Sequence, residues 1–419
     1  MRRLLGVVWR VSISLAVATA TTAFGQEVAL RHAQGGAALD ALATLVLRFN
    51  DEQKGKARVV LEDVSGIADN HRLPHIALLD DEDARLFFGS RPRFLPLADV
   101  MKTGGQSFDS GRLLPQIAAA VDDFRGRPQA LPLAMVLPVL FYNKEAFAKA
   151  GLDPESPPKT WWETQQVAGK LFDAGYKCPL TTSRFSWVHL ENLSSQHGEP
   201  VIAKGSHGDR FALNNLVHVK HLALLTSWHK SSYFHYFGPG REGDAKFVSG
   251  ECAMLTGESG LYGELRRSRT FPVGVAELPY YEDVFGVRPA NLLPDGAALW
   301  ILPGKKKDEY AVVARFIAFL MRPDVQRQWV RATGFLPMTA AALDEMAAAG
   351  VSPAIVAAAR RRLTMPKQDK SRLSPGDSRG RLHAILGEEV DFVWKNVKPA
   401  KEALDTAMQR ANTPPNTPP

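Results

Sequence analysis

The chain has 419 residues, 51 basic against 44 acidic side chains, a formal charge of +7 and two cysteines. Three of the basic residues, Arg2, Arg3 and Arg10, lie at the extreme N-terminus, so the rest carries about +4, too mild a balance to select nucleic acid as a partner. Two cysteines without CxxC spacing or a HxxxH pair do not make a zinc site, and neither a metal nor another cofactor is expected.

Residues 1–25 read as an export signal: arginines first, then an apolar and small-residue run over 11–24, then a small-residue exit at Gly25. That run falls short of the ~20 residues that span a bilayer, and no later stretch is long and apolar enough to do so. With no cysteine near the cleavage point to carry a lipid, the expected product is free in the periplasm. Its roughly 390 residues suit two lobes. Disulfides persist in that compartment, and the sequence leaves open whether Cys178 and Cys252 pair or remain separate buried thiols.

Along the chain, helical apolar spacing over 37–49 is followed by a strand in ARVVLEDV, the start of an α/β lobe. A second apolar run, 76–79, ends at Asp80 and Asp81, placed either at a ligand-facing strand end or at a solvated helix start. Residues 131–142 are extended and punctuated by proline; a helix then opens near Asn143 or Lys144 and stops at Gly151. Thr160 with Glu163 three residues on forms a capping box, and Gly175 ends that helix. VKHLALLTSWHKSSYF is helical, residues 244–268 alternate helix, turn, strand, turn and helix, and VGVAELPYY is a strand. NLLPDGAALWILPGK reads as a second crossing strand before an amphipathic helix over 309–321, a break at Pro323, and a helix ending at Gly334. An Ala-rich helix from Thr339, a Gly/Ser/Pro loop over 371–380, a helix HAILGEEVDFVWKNV and a disordered proline-rich tail complete the chain.

Catalytic patterns fail. Gly257-Glu258-Ser259-Gly260 has the wrong spacing for a nucleophile elbow, and no phosphate loop follows a strand. His218 and His221, three apart on one helix face without a third ligand, read as surface or half-buried residues. Glu388 and Glu389 read as a solvated pair. Two features look instead like parts of a binding site. Trp187 follows a Ser/Thr/Arg loop and is either an aromatic wall or core. TGESG, 256–260, precedes a helix whose free N–H groups suit an anion.

PVLFYNKEAFAKAGLDPESPPKTWWE, GYKCPLTTSRFSWVHLEN, KFVSGECAML, GAALWILPGKKKDEY and TGFLPMT together resemble the extracytoplasmic solute-binding proteins of ABC importers, in their sn-glycerol-3-phosphate-binding branch. The resemblance implies an α/β, type II periplasmic-binding fold: two α/β lobes with three hinge crossings, near 135–138, 295–297 and 335–337. The lobes would be built from residues 26–136 and 297–336, and from 137–296 and 337–412, with 413–419 as a tail. By the same resemblance, Trp187 would be the ligand wall, Glu258 or Ser259 the hydroxyl or helix-end group, Gly296 the close backbone approach and Asp81 the polyol clamp. Arg372, Arg379 or Arg381 would meet a phosphate. Met135 or Val136, Arg184 and Phe335 would stand where relatives have a serine, an aromatic partner of Trp187 and a tyrosine. A site built to hydrogen-bond a hydroxyl discriminates by ~10⁴, so these losses predict altered ligand choice.

The implied partners are a small solute and an inner-membrane ABC permease with its ATPase, served by a monomer. The expected solute is sn-glycerol-3-phosphate or a glycerophosphodiester. The alternatives are a neutral sugar or oligosaccharide, or a sensor that has lost transport.

Overall fold

The computed structural model describes residues 25–63, 73–80, 94–123, 126–205, 208–282, 292–365 and 377–413. Its two larger sheets have five strands each. Strands β1 (Gln26–His32), β2 (Ala57–Asp63), β3 (Ile76–Leu79) and β4 (Leu131–Val136) join β12 (Asp295–Ile301) in the order β2-β1-β3-β12-β4. Strands β5 (Pro138–Asn143), β6 (Cys178–Thr182), β9 (Phe234–His235), β10 (Cys252–Glu258) and β11 (Val273–Glu277) form the second sheet, in the order β11-β5-β10-β6-β9. A small hairpin, β7 (Ile202–Gly205) with β8 (Gly208–Phe211), stands apart.

Each sheet is sandwiched by helices because its strands are apolar on both faces; β4 and β5 are buried at every position. The first lobe packs Phe49 of helix Gly36–Glu52 against Phe316 and Phe319 of helix Lys307–Leu320. The second lobe closes around Trp161, Trp187, Trp228 and Tyr281, with helix Leu216–Lys230 and the C-terminal helices Asp377–Trp394 and Ala400–Asn412 outside them. The expected Thr160–Glu163 capping box opens helix Trp161–Asp173.

The chain passes between the sheets three times. It leaves β4 for β5 through Leu137 alone and returns at Asp295, where β12 lies antiparallel to β4. It passes again after helix Pro323–Thr333, where the Leu336 N–H donates to the Met135 carbonyl at 2.9 Å; helix Pro353–Arg362 then packs on β11.

Some local expectations are corrected. The Ala-rich stretch from Thr339 is not one helix but a 3₁₀ turn, a four-residue helix and Pro353–Arg362, because Gly350 at φ +70° and Pro353 interrupt it. Residues 377–380, expected in a loop, begin the helix Asp377–Trp394. His218 and His221 are wholly buried, and Glu389 is 3% exposed, held by Lys398 and Arg410 rather than solvated. The export segment 1–24, and the tail beyond Thr413, fall outside the described residues.

Cys178 and Cys252 start adjacent parallel strands in register and form a disulfide across a separation of 74 residues. Closing so long a loop restricts the unfolded chain, a stabilisation of about 2–4 kcal/mol. A Cys178→Ala/Cys252→Ala double variant is expected to show a lower urea midpoint than the wild type, and reductant should lower the wild-type midpoint while leaving the variant unchanged.

Candidate functional site

A cleft of about 400 Å³ opens where the two sheets face each other. The first lobe contributes the start of helix Gly36–Glu52, Asp80 at the end of β3, and Gly296 of β12. That helix is capped by Gly35 without a side-chain hydrogen bond and has no acidic residue in its first turn, so its free N–H groups face the cleft with their positive dipole end uncompensated. From the second lobe come Arg241, Glu258 at the end of β10, and Glu264 and Arg267 of helix Tyr262–Ser268. Thr333 and Phe335 close the side next to the third crossing.

Arg241 joins the two walls: its guanidinium reaches Asp80 at 3.0 Å and Glu258 at 3.3 Å. Asp80 belongs to one lobe and Glu258 to the other, so this arginine spans the opening. Below the floor lies a second set of charges. Arg184, in a left-handed conformation at φ +50° and 8% exposed, pairs with Asp295 and with Glu258 at 3.2 Å. Arg379 pairs with Asp295 at 2.8 Å and with Glu191 at 2.6 Å, and His383 donates to Glu191 at 2.8 Å. Burial alone would push Glu191 up, but Arg379 and His383 outweigh it and hold the carboxyl at about 2. Asp295 likewise lies well below the usual carboxylate range, the pull of Arg379 and Arg184 overcoming its burial.

The candidate residues from the sequence divide accordingly. Glu258, Gly296 and Phe335 line the cleft. Gly296 is demanded by the fold itself: at φ +136°, a Cβ there would sit 2.2 Å from the Ala134 carbonyl oxygen, so the close approach is to strand β4. Trp187 is not a wall of the cleft. It sits in a π-helical turn, Ser186–Glu191, is 1% exposed, donates its indole N–H to the Leu293 carbonyl at 3.0 Å, and has the Arg184 guanidinium 4.7 Å over its ring. Arg184 has taken the place of a stacking partner.

Ser259 pins the first crossing: it donates from its backbone N–H to the Leu137 carbonyl at 2.8 Å, and its hydroxyl accepts from the Leu137 N–H at 3.0 Å. Met135 is buried in the apolar core between the lobes, its carbonyl bound by Leu336. Arg379 is 2% exposed and committed to the carboxylates beneath the floor. Arg381 lies away from the cleft and caps the last helix, donating to the carbonyls of Arg410, Ala411 and Thr413. Asp81 and Arg372 lie outside the described residues. Sequence reasoning missed Arg241 and Arg267. Arg241 follows a Gly-Pro-Gly stretch and Arg267 lies in the last turn of the helix after TGESG, which marked the right region without singling out the side chain.

A further buried polar set lies deeper in the second lobe. His189 meets His221 at 2.9 Å and the hydroxyls of Thr182 and Thr256 at 3.0 and 2.9 Å, and His221 meets the Tyr281 hydroxyl at 2.9 Å. Burial lowers His189 to about 3 and also lowers His221, so both rings are neutral at ordinary pH. Among the described residues no group of His, Cys, Asp and Glu side chains is arranged to hold a metal.

Residues 68–358 match the family of bacterial extracellular solute-binding proteins. The chain belongs to that family. The sn-glycerol-3-phosphate-binding periplasmic protein UgpB of Salmonella typhimurium is 37% identical over 325 residues, covering 76% of this chain and 74% of its own. That of Escherichia coli K12 is 36% identical with the same coverage. The structure superimposes on UgpB from Mycobacterium tuberculosis in complex with glycerophosphocholine with a TM-score of 0.72 at 21% identity, over 92% of this chain and 98% of that one. For the cyclic alpha-maltosyl-1,6-maltose binding protein from Arthrobacter globiformis the values are 0.70 and 20%, over 93% and 98%. These likenesses establish the type II periplasmic-binding fold. The protein is an extracytoplasmic solute-binding protein of a small-molecule ligand, not an enzyme.

Glu191 makes the floor sensitive to acid. Its folded value of about 2 lies below its ordinary 4.5, so the stabilisation is complete above pH 4.5 and is lost as pH falls through about 2. Glu191→Gln, which leaves Arg379 short of a buried counter-charge, is expected to cost about 3 kcal/mol at pH 7. The gap from wild type in urea unfolding should narrow steadily below pH 4.5; a gap independent of pH would show that the charge on Glu191 is not what stabilises the floor.

Proposed function

We propose that the protein captures sn-glycerol-3-phosphate or a related glycerophosphodiester in the periplasm and delivers it to an ABC permease and its ATPase, acting as a monomer. The observation that carries this reading is the 37% identity, over three quarters of both chains, to proteins named for binding sn-glycerol-3-phosphate. The cleft's chemistry supports it. An uncapped helix start on one wall and arginines on the other suit a compact anion between the lobes. Closure around such a ligand would bring both walls onto it, and the closed form is what a permease would read.

The described residues offer less to a neutral sugar. Sugar rings are bound by stacking on open aromatic faces, and Trp187 presents none, since the Arg184 guanidinium covers it. Phe335 is the one aromatic side chain lining the cleft among the described residues. Trp187→Ala is also a poor probe of the ligand, because emptying a buried tryptophan site costs about 3–5 kcal/mol of stability in its own right.

A thermal-shift series tests the reading. At a ligand concentration 100-fold above Kd, binding adds about 2.7 kcal/mol. The melting temperature is expected to rise with sn-glycerol-3-phosphate or glycerophosphocholine and to stay unchanged with maltose. A rise with maltose and none with either phosphorylated ligand would replace this reading with the sugar-binding one.

A further inference from the structure

Four arginines line the cleft and a smaller side pocket of about 70 Å³ that shares Gly260, Gly263 and Thr333 with it: Arg241, Arg266, Arg267 and Arg331. Three are already committed. Arg241 holds Asp80 and Glu258. Arg266 donates to the carbonyls of Ala349 and Gly350 at 3.3 and 2.9 Å, and Arg331 pairs with Glu345 at 2.6 Å. Arg184 beneath the floor is shared between Asp295 and Glu258. Arg267 alone of these lines both spaces and has no ion pair or hydrogen bond within the described residues. Its neighbour Glu264, one helical turn before it and also lining the cleft, forms no ion pair with it.

This distribution of partners decides which of these described arginines is open to a ligand's charge. An anion binding at Arg241 must compete with two carboxylates already in place. An anion at Arg267 displaces only water. A guanidinium offers two parallel N–H donors to a phosphate, a geometry that adds direction to the charge. Arg267 also stands on the second lobe near Thr333 at the end of a first-lobe helix, so a group held there lies where the walls converge.

We propose that Arg267 is the residue that recognises the ligand's anionic group, and so sets the preference for phosphorylated solutes over neutral ones. This rests on the reading of the ligand as a phosphorylated polyol. Arg267 is exposed on the last turn of its helix, so its replacement removes a charge without opening a core.

Isothermal titration of the full mature chain with sn-glycerol-3-phosphate and with glycerophosphocholine tests it, using wild type, Arg267→Gln and Arg267→Lys. Arg267→Gln is expected to weaken phosphorylated ligands about tenfold or more, with the melting temperature of the unliganded protein unchanged. Arg267→Lys should recover part of the loss. The affinity of the wild type should fall with added salt more steeply than that of the Gln variant. Wild-type binding with Arg267→Gln within twofold of it would overturn the assignment and leave the ligand reading standing. No binding of either ligand by the wild type would overturn the ligand reading, and this assignment with it.

Discussion

Beneath the cleft, four ionised side chains are held almost wholly out of water: Arg184, Asp295, Arg379 and Glu191 alternate in sign along one connected chain of ion pairs. Taking a single charge into such a place costs several kcal/mol, and only paired, hydrogen-bonded neighbours offset it. The constraint therefore acts on all four at once. Arg184 follows β6, Glu191 ends the π-helical turn, Asp295 starts β12 where the chain returns to the first sheet, and Arg379 comes from the C-terminal helix. Segments 84 to 188 residues apart have to meet at this point for any of the charges to be tolerated, so the floor fixes where the second crossing and the C-terminal helix lie.

That arrangement also determines what the cleft can offer a ligand. With Arg184 drawn down to Asp295 and laid over Trp187, the aromatic face is closed and the guanidinium is committed. The groups that face the cleft above the floor are the helix start at Gly36, the Arg241 bridge between Asp80 and Glu258, and Arg267, which has no ion pair among the described residues. The Arg241 bridge has a second consequence. As it joins carboxylates from opposite lobes, opening the cleft must break one of its ion pairs, while a ligand that adds contacts across the gap favours the closed arrangement by its differential affinity. Ser259, locked to Leu137 on both sides of its peptide, keeps the narrowest crossing in register during such a motion.

The disulfide serves the same wall from the other end of its strands. Cys178 and Cys252 hold the starts of β6 and β10 together, and the opposite ends of those strands present Arg184 and Glu258. The buried histidine and threonine set lies between, with Thr182 and Thr256 on these two strands bound to His189. The wall carrying Glu258 is thus tied covalently at one end, by neutral hydrogen bonds in the middle and by ion pairs at the cleft.

Much of this was legible in the sequence wherever the signal is local. Apolar periodicity gave the strands and most helices; Thr160 with Glu163 gave a helix start; Pro138 and Gly296 marked the crossings through backbone conformations that few other residues adopt. The recognised segments led to the two-lobed fold and to three residues that line the cleft, Glu258, Gly296 and Phe335. What the sequence by itself could not decide was the partner of each charge. A tryptophan in a polar loop reads the same whether its face is open or covered by Arg184, and Arg379 reads the same whether it meets a phosphate or Glu191. Ion pairing depends on distances between segments far apart in the chain, and the electrostatic energy of a buried charge depends on all of its neighbours together, so only the tertiary structure separated the arginines committed to ion pairs from Arg267, which has none among the described residues.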